Sequence, residues 1–76
     1  MMDIVVFPNP AFDEIQLMMN ESLLIESVKI MNTTGQIVIQ SDSNLLNIDE
    51  LVSGTYFVTV ETRSGNWNGK FLKIAP

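Results

Sequence analysis

The sequence predicts an all-β protein, an immunoglobulin-like antiparallel β-sandwich of about seven short strands. Three observations predict it. Apolar and polar residues alternate over short runs, the period of a half-buried strand. No run carries the three-to-four residue spacing of a helix. Turn-forming residues recur every eight to twelve positions, the rhythm of a sandwich or, as a second choice, an open barrel.

The first run is residues 3–7, Asp-Ile-Val-Val-Phe. Pro8-Asn9-Pro10 stops it, because each proline lacks an N–H and Pro10 pushes Asn9 to extended geometry. This stiff corner suits a chain crossing from one sheet to the other. Residues 13–19 put Ile15, Leu17 and Met19 on one face, and Asn20-Glu21-Ser22 breaks that run. In residues 25–32, Val28 and Ile30 point inward and Lys29 outward. Asn32-Thr33-Thr34-Gly35 reads as a tight hairpin turn, with Asn32 bonding its own backbone and Gly35 taking positive φ. Residues 36–40 return with Ile37 and Ile39 on one face.

A short run at 45–48 leads into a crossover, Asp49–Gly54, with Leu51 as its apolar plug and Gly54 reversing the backbone. Residues 55–62 carry the clearest alternation: Tyr56, Val58 and Val60 against Phe57, Thr59 and Glu61. Tyr56 stands where a sandwich domain places the tyrosine whose hydroxyl bonds back to the preceding corner. Ser64-Gly65-Asn66 turns the chain into a last strand, 67–74, in which Phe71 opposes Leu72 and Ile74.

Seventy-six residues make one domain with one core, spanning 1–76, and Met1 and Met2 read as an added start. A chain of this size buries only about 60–65% of its unfolded surface. With no Cys there is no disulfide or thiolate metal site, and with no His there is no imidazole base. Ser-His-Asp and Cys-His catalysis are therefore excluded, and the chain reads as a non-enzyme without a cofactor. The net charge of −5 opposes binding to nucleic acid and to anionic membrane surfaces. No apolar run is long enough to span a bilayer, and residues 1–7 do not form a signal peptide, so any export signal is expected upstream.

Few constellations invite chemistry. Asp13 and Glu14 are strand neighbours on opposite faces, while Asp49 and Glu50 share a turn; both pairs read as solubilising or capping groups. Asp42, Asn44, Asn47 and Asp49 offer oxygen ligands without the spacing of a calcium loop. Trp67 either closes one end of the core or stacks on a sugar or a protein partner. Arg63, Lys70 and Lys73 crowd the last fourteen residues, which reads as ordinary solvated strand faces or, more sharply, as a basic end presented to a receptor, where a terminal strand could dock by strand addition or charge complementarity.

Four blocks then occur in order: Phe7-Pro8-Asn9-Pro10-Ala11, Asn32-x-x-Gly35-Gln36, Ile48-x-x-Leu51-x-x-Gly54-x-Tyr56-Phe57-Val58, and Lys70-Phe71-x-Lys73. Together they resemble the type A C-terminal sorting domain of the type IX (Por) secretion system, over residues 4–74. The resemblance implies a tail on a larger N-terminal cargo that enters the periplasm and crosses the outer membrane through the type IX translocon. It also implies removal of the tail by a sortase-like peptidase and a secreted or cell-surface product. Lys70, Phe71 and Lys73 would carry translocon recognition, and Pro8, Asn9, Pro10, Asn32, Gly35, Leu51, Gly54 and Tyr56 would carry the family's structural motif. Phe7 departs from it, standing where tyrosine is frequent. The rival functions are a non-catalytic carbohydrate- or protein-binding module of a surface protein and a structural spacer.

Overall fold

The computed structural model describes residues 4–19 and 25–74; the expected break at Asn20-Glu21-Ser22 and the expectation for Met1 and Met2 lie outside them. Seven strands form two antiparallel sheets, with no helix among the described residues. They are β1 (Ile4–Phe7), β2 (Glu14–Met19), β3 (Ile25–Met31), β4 (Ile37–Ser41), β5 (Leu45–Asn47), β6 (Gly54–Thr62) and β7 (Gly65–Lys73). One sheet has the order β1-β2-β5 and the other β4-β3-β6-β7. First, second and fifth strands thus face third, sixth and seventh, the immunoglobulin arrangement, with the fourth strand beside the third.

The core lies between the sheets. Ile4, Ile15, Leu17 and Leu46 from the smaller sheet meet Val28, Ile30, Tyr56, Val58, Val60 and Phe71 from the larger. Period-2 alternation explains each of these placements, because a strand turns every second side chain to the same face. Ile48 and Ala11 add loop residues to the same cluster, and Leu51 packs against it as the expected plug.

The turns follow their residue chemistry. Gly35 takes φ +86 and donates its N–H to the Asn32 carbonyl at 3.0 Å. The Asn32 side-chain oxygen accepts from the Thr34 and Gln36 N–H groups at 3.1 and 3.0 Å, so one carboxamide organises the whole β3–β4 turn. The β6–β7 turn is one residue earlier than the sequence suggests: Thr62 pairs with Gly65 across Arg63-Ser64. Thr62 decides this, since its hydroxyl donates to the Gly65 carbonyl at 2.8 Å and accepts from the Ser64 N–H at 3.1 Å.

Two other expectations change. Ile37 and Ile39 do not share a face. Ile30 pairs with Ile39 and Met31 with Ile37, so a β-bulge at Val38 flips Ile37 outward, where it is 49% exposed. The Pro8–Pro10 corner also does not carry the chain into the other sheet. The chain leaves β1, touches the edge of β7 through Ala11, and returns to pair as β2 beside β1.

Tyr56 makes the predicted corner contact: its hydroxyl donates to the Val52 carbonyl at 2.7 Å. Gly54 opens β6 opposite Lys73 with φ +153. Tyr56→Phe keeps the ring in the core and removes one hydrogen bond, leaving the Val52 carbonyl without that donor. Urea denaturation should show a loss of about 1 kcal/mol, with the slope unchanged.

Candidate functional site

The first and last of the family-like blocks, residues 7–11 and 70–73, meet in space. The Ala11 N–H donates to the Leu72 carbonyl at 2.8 Å, and the Ile74 N–H donates to the Ala11 carbonyl at 2.9 Å. This makes a short parallel bridge between Ala11 and Lys73. Asn9, held between two cis-prolyl bonds, accepts the Leu72 N–H on its side-chain oxygen at 3.0 Å. Lys73 completes the clasp by donating from Nζ to the Phe12 carbonyl.

This clasp separates the three residues expected to act together. Phe71 is 1% exposed and stacks on Tyr56, its direct cross-strand partner, with ring centroids 5.6 Å apart. Lys73 is also 1% exposed, its stem in the core and its ammonium on a backbone carbonyl. Lys70 points to the opposite face and is exposed. The cause is strand parity: positions three apart cannot face the same way on a regular strand. Arg63 does not join them either, because it sits in the β6–β7 turn before β7 begins at Gly65, and Lys70 lies five strand residues further on, about 16 Å from Gly65. The last strand is thus not a basic surface. Lys70 is its exposed cation and Lys73 an internal one.

The clasp also closes one docking mode. Residues 9–11 satisfy the outer N–H and C=O groups of Leu72 and the N–H of Ile74, so a receptor strand cannot add there while they hold. Covering an edge in this way is how sheet proteins avoid unwanted strand pairing. Sequence reasoning missed Asn9 and Ala11 as partners of β7. The carboxamide between two prolines was the available signal, because such a residue is rigidly aimed.

Among the described residues, the remaining polar features do not gather into a metal-holding cluster. Lys29 pairs with Glu61 at 3.2 Å across β3 and β6. A groove of about 400 Å³ at the open edge of the sandwich is lined by Val38, Ile39, Ile48, Asp49, Glu50 and Leu51. Asp49 is held in its turn by an N–H bond to the Asn47 side chain at 2.8 Å. Trp67 turns toward the core and lies over Gly69, where a Cβ would overlap its ring. Gly69 therefore serves as the seat of the indole, and the ring is half-buried rather than presented as a free stacking face.

The order and placement of these blocks agree with the comparison to known families. The model of the secretion system C-terminal sorting domain matches residues 5–74, which includes both halves of the clasp, the Asn32 turn and the tyrosine corner. No curated protein matches the chain. The chain belongs to the C-terminal sorting domains of type IX secretion, the folded signals that mark a protein for the cell surface or the medium.

Proposed function

We propose that this domain is the tail by which an N-terminally attached cargo passes from the periplasm through the type IX translocon, after which a sortase-like surface peptidase removes it. The clasp is the observation that carries this reading. It ties the entry segment to the last strand, so the whole module, rather than a linear epitope, is the recognisable object. A signal worn by unrelated cargos works best as an inert, self-contained shape. The domain accordingly acts without catalysis of its own, and its partners are the translocon, the peptidase and the cargo.

Fusing residues 1–76 to the C-terminus of a periplasm-directed fluorescent or enzymatic reporter tests this in a type IX-competent bacterium. The reporter should reach the surface or the medium, shortened by the mass of the tail. Retention of full-length reporter in the periplasm would sink the proposal. Deleting residues 70–76 is a poor test of docking, because it also removes Phe71 and Lys73 from the core.

A further inference from the structure

The outer face of the four-stranded sheet is divided in two. At one end Ser27, Lys29, Thr59, Glu61, Asn66 and Asn68 form a polar half, with the Lys29–Glu61 ion pair and a Thr59–Asn68 hydrogen bond of 2.9 Å. At the other end the cross-strand register sets Ile37, Met31, Phe57 and Lys70 side by side in one row. Thr55 and Leu72 form the next row along β6 and β7. Ile37 is 49% exposed and Phe57 and Leu72 are each 42% exposed, so three large apolar side chains stand in solvent together. A hollow of about 150 Å³ opens beside them, lined by Asn9, Thr55, Lys70, Phe71 and Leu72.

We propose that this apolar half-face is the surface read by the secretion machinery, and that its occupant is a protein surface bearing apolar side chains and one carboxylate that pairs with Lys70. The proposal rests on the sorting function proposed above. Contiguous exposed apolar surface rimmed by polar groups marks an interaction site. Phe57 supplies the aromatic anchor such interfaces centre on. Charge selects the partner. Neither row contains an acid, so Lys70 makes the patch locally positive on a chain of net charge −5. An approaching carboxylate meets the ammonium beside a hollow large enough for one acidic side chain. A second copy would bring −5 against −5, and an anionic lipid surface would meet the same repulsion.

The test uses the reporter fusion with Phe57→Glu, Lys70→Glu, Lys70→Gln and Lys70→Arg, and with Gln40→Glu as a control beside Lys29 in the polar half. Phe57→Glu and Lys70→Glu should each lower the displayed fraction about tenfold or more. Lys70→Arg should keep display and Lys70→Gln should lose it. Gln40→Glu should behave as the parent. Melting temperatures of the variants should stay within about 4 °C of the parent, which separates docking from folding. Display unchanged in folded Phe57→Glu and Lys70→Glu overturns the surface while the sorting function stands. If Phe57→Glu does not fold, the Lys70 series decides alone. Equal display with Lys70→Gln and Lys70→Arg removes the carboxylate. A parent domain that sediments as a dimer, and becomes a monomer with Phe57→Glu, assigns the face to a second copy and overturns the proposed occupant. Failure of the parent fusion to leave the periplasm overturns both the sorting function and this surface.

Discussion

Replacing Phe71 with alanine should unfold most of the domain at ambient temperature. Its ring is fully enclosed between the sheets and stacked on Tyr56 at an interplanar angle of 20°. Emptying such a site costs about 3–5 kcal/mol, the lost transfer energy plus the cavity that remains. A single core in a chain of this size supplies about 3–5 kcal/mol in total, and no disulfide makes up the difference. The variant should therefore show no cooperative baseline in urea when followed by Trp67 fluorescence, and its reporter fusion should not be exported. Phe71→Leu keeps most of the volume and should cost about 1–2 kcal/mol, leaving a visible transition. A Phe71→Ala midpoint equal to that of the parent would show that the stacked pair does not hold the sheets together.

Lys73 offers the second large effect, and its direction depends on the replacement. Lys73→Ala removes a buried aliphatic stem and leaves the Phe12 carbonyl without its donor, for a combined loss of about 3–4 kcal/mol. Lys73→Met keeps most of the stem volume and also removes a charge that is costly to hold away from water, so it should fall within about 1 kcal/mol of the parent. Urea midpoints should rank parent and methionine together and alanine far below. The same pair separates two jobs for this lysine. If Lys73 acts through its buried stem, the folded methionine variant is exported even though it no longer donates to the Phe12 carbonyl. If its ammonium is itself read by the secretion machinery, that variant folds and stays in the periplasm.

Much of the fold was legible because it is local. Alternation in 55–62 placed Tyr56, Val58 and Val60 inside, and the Asn32–Gly35 turn closes as its residue types require. Even the Tyr56 contact could be anticipated, since the corner it bonds lies four residues away. The flip of Ile37 was not legible. A bulge at Val38 is a property of the pairing between two strands, and alternation along one strand is blind to it. The facing of β7 was hidden differently. Apolar side chains fall on both parities there, and it is the register with β6 that turns Phe71 inward onto Tyr56 and Lys73 inward to reach the Phe12 carbonyl. Lys70 and Lys73 look like a pair in the sequence, yet their odd separation already set them on opposite faces.

By itself the sequence determined an all-β module without imidazole or thiol chemistry, its strand rhythm, its turns and its family blocks. Each of these depends on residue type and short spacing. Tertiary structure alone decided that Asn9 and Ala11 cover the edge of the last strand, that Lys73 is an internal tie, and that Ile37, Phe57 and Leu72 share an exposed face beside Lys70. Those contacts join residues up to 63 positions apart. They depend on which strands pair and in what register, a choice made by the whole core and not by any one stretch of chain.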